Sequence, residues 1–144
     1  MSQENEIEDL VNHPNHYCKY NVELESIDVV DLFSFNLGSC MKYAIRFRDK
    51  DNPIMDLEKA IWYAERIQKN FKKVKKATRQ LKKYKPVLEI YQSKAQDIVT
   101  FETISRFIEC ANTKTCYSLK PVIDLLNKRL NFEKSKPVAP ICTE

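Results

Sequence analysis

Three groups of side chains in this chain have the types and spacing that chemistry needs. The first is the run His13-Pro14-Asn15-His16-Tyr17, with two histidines three apart around a proline. Such a run can contact a metal, a phosphate or a base, or can be a loop that hydrogen-bonds its own backbone. Zinc would require further Cys or His ligands at suitable spacing, and no partner cluster is present in the sequence. The second group is Glu25, Asp28 and Asp31, at i, i+3 and i+6. On a helix Glu25 and Asp28 share a face. Paired carboxylates can hold Mg²⁺ together with waters and substrate phosphates, or can simply be a solvated acidic face. The third group combines Lys42 and Arg46, at i and i+4, with Asp56, Lys59, Tyr63 and Arg66, which follow a single helical stripe. Lys and Arg clamps suit phosphoryl groups, whose charge must be offset without a covalent partner. The ordinary alternative is an exposed charged face.

These residues need helices to position them. The periodicity predicts a short helix over 25–33, on Ile27, Val30 and Phe33. A second runs from an Asn36 cap to about Arg48, with Leu37, Cys40, Met41, Ala44 and Ile45 inward. Asn52-Pro53 is a cap followed by a first-turn proline. From there Leu57, Ala60, Ala64, Ile67, Phe71, Val74, Thr78 and Leu81 keep a 3-4 spacing, and no breaker intervenes before Pro86. That pattern predicts one long central helix, on the order of 45 Å at 1.5 Å per residue. Its distal half would need cover from the C-terminal helices or from a second subunit, which favours a homo-oligomer. Further helices are expected over 87–95, around Phe101–Ala111, and from Pro121 through Leu130. The fold class is therefore all-α, a helical bundle with an ordered His/Tyr-containing N-terminal loop. Its divisions are an acidic N-terminus (1–10), a helical domain (11–70), a C-terminal extension (71–132) and a tail (133–144).

Composition limits the function classes. The 144 residues include 43% apolar types, enough for a core, and a single glycine, Gly38. There is no G-x-x-x-x-G-K-[ST] phosphate loop, so any phosphate site must be built from side chains. Five cysteines at unpatterned spacings read as reduced thiols and small buried hydrophobes, which points to a cytoplasmic protein. No stretch is apolar enough to predict a membrane span. The net charge of +4 is uneven. Nine Lys/Arg and no acid lie between Lys69 and Lys85, leaving the rest of the chain at −5. Such a run can bind nucleic acid through its phosphates or can be a solvated helix surface.

Taken in order, His13-Pro-Asn-His-Tyr17, Leu-Glu25-Ser-Ile-Asp28, Phe35-Asn-Leu-Gly38 with Lys42-Tyr43 and Arg46, and Asp56 with Lys59, Trp62-Tyr63 and Arg66 resemble a family of small phage proteins. That family was long carried as a domain of unknown function and is often labelled nucleotide kinase. The resemblance covers about 12–66. Ser39 and Cys40 stand where relatives have Asn and Ala, and Lys19-Tyr20-Asn21 replaces a glycine-containing turn.

The resemblance implies binding and phosphorylation of deoxynucleoside monophosphates, with ATP or another nucleoside triphosphate as donor, Mg²⁺ as cofactor and the host cytoplasm as location. On it Lys42, Arg46 and Lys59 are expected to hold the phosphates and Glu25 and Asp28 the Mg²⁺, with Lys42, Arg46, Glu25 and Asp28 catalytic. His13, His16, Tyr17, Asn36, Tyr43, Lys59 and Tyr63 fall to the substrate. Tyr43, Trp62 and Tyr63 can stack on a base or fill the core. Rival readings are a non-catalytic nucleotide-binding or host-takeover protein, nucleic-acid or host-protein binding through the C-terminal half, and pyrophosphohydrolysis of nucleoside triphosphates on a Glu-x-x-Asp pair.

Overall fold

The structure, a computed structural model, describes residues 24–49, 51–113 and 117–137. The His13–Tyr17 run, with the expected N-terminal loop, and Cys18, Cys116 and Cys142 lie outside the described residues. Within them the chain forms seven α-helices and no strand, the expected all-α bundle. These are α1 (Ser26–Val30), α2 (Phe35–Arg46), α3 (Pro53–Gln68), α4 (Phe71–Lys83), α5 (Lys85–Ser93), α6 (Ile98–Ala111) and α7 (Lys120–Ser135), with a 3-10 turn, Phe47–Asp49, after α2. Among the described residues no helix is long and apolar enough to cross a membrane.

The expected long central helix is two helices. α3 ends at Gln68, and Asn70 caps α4 by accepting a hydrogen bond from the Lys73 backbone N–H at 3.1 Å. The apolar seam continues in phase across this break, with Leu57, Ala60, Ala64 and Ile67 buried on one side and Val74, Thr78 and Leu81 on the other. Phe71, inside the predicted seam, sits at the first position of α4 and is 67% exposed. The C-terminal helices supply cover: α3 packs on α2 and α7, and α4 on α6.

Most other boundaries move by a turn or less, but α7 continues past Leu130 to Ser135, into the expected tail. Ser34, two residues before Asn36, is the α2 cap. Pro86 does not precede a helix but lies in the first turn of α5, where a missing N–H costs nothing.

One buried cluster runs from Leu24 to Leu130 and joins all seven helices. α2 and α3 pair antiparallel: Phe35 at the start of α2 meets Tyr63, and Arg46 at its end meets Asp56. α7 runs back along α3, with the Leu119 N–H donating to Gln68 Oε1 at 2.6 Å near one end and Lys134 beside Glu58 at 3.9 Å near the other. Arg129 fastens α7 to α6, donating to Thr103 Oγ1 and, at 3.0 Å, to the Val99 carbonyl.

Gly38 sets how closely α1 and α2 approach. A Cβ there would stand 2.8 Å from the Val30 carbonyl oxygen, a backbone atom that cannot swing away. Gly38→Ala is therefore expected to destabilise the fold by about 1–3 kcal/mol, the usual cost of overpacking, despite the better helix propensity of alanine. Urea unfolding checks this; an unchanged midpoint would show that α1 does not rest on α2 at this point.

Cys40 and Cys110 are free and buried in the core. Burial pushes both thiols up from their usual 9.0, Cys110 to about 12 and Cys40 further, with Cys110 itself adding to the shift at Cys40. A raised thiol pKa contributes stability that is fully present below the unfolded value and is lost as pH rises towards the folded one. The melting temperature is therefore expected to fall between about pH 9 and about pH 12, and less steeply in Cys110→Ala. Equal slopes for the two proteins would refute the assignment.

Candidate functional site

The α2–α3 hairpin gathers the cationic residues that the sequence singled out. Three cations surround one phenol ring: Lys42 Nζ lies 4.9 Å, Arg46 Cζ 4.8 Å and Lys59 Nζ 5.3 Å from the Tyr43 centroid. Lys42 and Arg46 flank Tyr43 on α2, and Lys59 reaches it from α3. Tyr63, one turn beyond Lys59, stacks on Tyr43 with the ring planes 7° apart and centroids 6.2 Å apart. Tyr63 is in turn met edgewise by Phe35 at 5.9 Å and by Trp62 at 5.1 Å. Both of those rings face solvent, Phe35 75% and Trp62 55% exposed. Arg66 lies over the Trp62 ring at 5.3 Å. The core role open to Trp62 on sequence grounds is not the one it takes.

At the base of the cluster is Asp56, whose side chain is only 10% exposed. Its nearest cation is Arg46, with Nε 3.8 Å from Oδ2. That distance is too long for a hydrogen bond, and among the described residues neither Arg46 Nε nor Asp56 Oδ2 has a partner, though both are buried. Buried polar atoms without partners are uncommon. Here the donor and the acceptor face each other beneath the cation cluster. Their placement follows from the capped start of α3. Asn52 Oδ1 takes the Met55 N–H at 3.0 Å, Pro53 opens the helix, and Asp56 falls one turn in, on the side facing α2.

The remaining expected residues are placed differently. Asn36 lies in the first turn of α2, half-buried, away from the Tyr43 ring and beside Lys73 and Lys76 in a hollow of about 330 Å³. Glu25 and Asp28 form a capping box at the start of α1, in which the Asp28 carboxylate accepts the Glu25 backbone N–H at 2.9 Å. That contact occupies one carboxylate oxygen with the work of ending the helix. Among the described residues no three His, Cys, Asp or Glu side chains converge as a metal site. His13, His16 and Tyr17 lie outside the described residues. An open cleft of about 950 Å³ adjoins α1 and is lined by Glu25, Arg46, Arg48, Tyr91, Lys94 and Asp97 among others. Arg48 pairs with Asp97 across it at 2.6 Å. Arg46 borders both this cleft and the Tyr43 cluster.

Sequence reasoning assigned no site role to Phe35, Arg48 or Asp97. The Phe35 ring stands on the surface and extends the aromatic strip. Arg48 and Asp97 are forty-nine residues apart, and no local pattern joins them.

Comparison with known proteins gives one match. A family model described as a protein of unknown function, DUF3310, matches residues 11–65, under half of the chain. No curated protein and no solved structure matches. The expected membership of a nucleotide-kinase-like phage family is thereby corrected: the matching family's description assigns no function, and the kinase label has no support from it. The matched segment nevertheless contains Lys42, Tyr43, Arg46, Asp56, Lys59 and Tyr63, all of the cluster but Arg66, and stops before the basic helix α4.

Proposed function

We propose that the α2–α3 face binds a deoxynucleoside monophosphate, with the phosphate among Lys42, Arg46 and Lys59 and the base against the exposed rings of Trp62 and Phe35. The observation that carries this reading is the convergence of three cations on Tyr43. Each cation–π contact at an exposed site is worth only about 0.5–1 kcal/mol, and like charges held together oppose one another. A dianion among them gains from all three. Among the described residues no acid other than Asp56 pairs with any of these cations. Asp56, buried beneath the cations and 3.8 Å from Arg46 Nε, holds Arg46 in place from below rather than meeting the ligand. Aromatic faces outside the cations supply stacking of about 1–3 kcal/mol per base.

Trp62 is the only tryptophan in the chain, so its fluorescence reports base stacking directly. Titration with each deoxynucleoside monophosphate should quench it saturably. Lys42→Ala and Lys59→Ala should each weaken binding by roughly 10–100-fold, the worth of a hydrogen bond to a charged group, with unchanged far-ultraviolet circular dichroism. Retention of full affinity by both variants would refute the site. Adding ATP and Mg²⁺ and resolving the products by chromatography reads phosphoryl transfer in the same samples. A diphosphate that disappears in Lys42→Ala would make the site catalytic, and binding without product would make the protein a nucleotide binder.

A further inference from the structure

We infer that the exposed face leading from Lys59 across Trp62 and Phe35 to Lys73 and Lys76 is a track for a single-stranded nucleic acid. The strand path rests on the nucleotide site proposed above, which forms one end of it. The new observation is continuity with α4. Phe35, at the start of α2, lines with Lys73 and Lys76 the same hollow of about 330 Å³. The Ser34 N–H donates to Gln80 Oε1 at 3.1 Å, which fixes the start of α2 against α4 and holds Phe35 there. On its other side Phe35 shares a smaller hollow of about 270 Å³ with Lys42 and Asp31. Cations therefore stand at both flanks of an exposed aromatic ring, and Arg66 covers a second, Trp62. From Lys59 to Arg66 the α3 part of the face is about 10 Å long at 1.5 Å per residue, and the hollow beside Lys73 and Lys76 continues it onto α4.

Alternation of exposed rings with a basic groove is how sequence-tolerant single-strand binders work, bases stacking on rings and phosphates following the cations. Duplex does not fit, because its bases are already stacked and present no free face to Trp62 or Phe35. A second copy of this chain is disfavoured as occupant, since a two-fold contact through this face would set its cations against themselves. The acids nearby only partly offset the charge: Asp56 lies buried beneath Arg46, Glu58 sits 3.9 Å from Lys134, and Asp31 and Glu65 are exposed, Asp31 beside Lys42 and Phe35 and Glu65 a turn beyond Trp62.

The test uses the full chain and labelled deoxythymidine and uridine oligomers about twelve nucleotides long, within the roughly 4–16 nucleotide footprints of single-strand-binding folds. Binding is read by anisotropy across a salt series and by Trp62 quenching. The double variant Lys73→Ala/Lys76→Ala leaves the Asn70 cap and helix propensity intact. It is expected to bind the oligomer at least tenfold more weakly and to lower the salt slope by about 1.4, two contacts at roughly 0.7 each. Its affinity for the monophosphate should be unchanged. The tighter of the two oligomers identifies the strand as DNA or RNA. An unchanged slope in the double variant, or a duplex bound as tightly as the single strand, overturns the track. Wild-type binding of monophosphate without oligomer overturns the track alone; binding of neither overturns the nucleotide site as well.

Discussion

The packed pair α2 and α3 buries small residues, Ala44 on one helix and Ala60 and Ala64 on the other, each fully inaccessible, alongside Leu37, Met41 and Leu57. Small residues let two helices close on each other, and the consequence lies at the rim. Side chains that would stand apart on more widely spaced helices are forced over one another, so that Lys59 of α3 reaches the Tyr43 ring of α2. All three cations lie within about 5 Å of one centroid and hence within about 10 Å of each other, a distance at which 0.1 M salt screens only partly. Their mutual repulsion is therefore built into the fold. It is tolerated because the apolar faces beneath are complete, and because Asp56 lies below the cluster and offsets part of the charge.

That completeness is supplied from outside the segment that DUF3310 matches. α7 packs along α3, and its own position depends on Arg129 binding α6 and on Gln68 receiving the Leu119 N–H. The hairpin that carries the cations and rings thus has its foundation in residues far along the chain. The matched segment would expose an apolar stripe on α3 if it stood alone, so a bundle of some kind must accompany it, while the covering helices need only present an apolar face of the right size.

Much of the site could be read from spacing alone. The i, i+4 relation of Lys42 and Arg46, and the stripe Asp56, Lys59, Tyr63, Arg66, follow from 3.6 residues per turn and hold in the structure. The break between α3 and α4 could not be read the same way. Asn70 is a fair helix residue and a good cap, and the apolar seam keeps its phase through it, so periodicity gives the same signal for one helix or two. Phe71 was the available sign: a large ring at a seam position directly after a cap can be spilled to the surface at no cost to the core. The tertiary outcomes, Trp62 and Phe35 facing solvent and Arg48 reaching Asp97, depend on how neighbouring helices are set and leave no local trace. Glu25 and Asp28 show the opposite case. Their i, i+3 spacing fits a capping box as well as a cation pair, and the structure uses it for the cap.

The basic helix α4 is hard to explain as a solvated surface alone. Lys72 and Lys73 occupy its first turn, where the helix dipole disfavours positive charge, and no acid is present there to compensate. Lys72 and Lys76, Lys75 and Arg79, and Arg79 and Lys83 are like-charge pairs at i, i+4, each destabilising by roughly 0.2–0.5 kcal/mol. Solubility does not require this. Glutamate at half of these positions would solubilise the helix equally and turn the same spacings into stabilising pairs. The helix is held instead by Val74, Ala77, Thr78 and Leu81 against the core, and by the Asn70 cap. A chain that carries −5 elsewhere and yet keeps this one surface free of acids is accepting a local cost in stability. A polyanion laid along the helix would reverse that cost, because every repulsive pair then becomes two favourable contacts with phosphate.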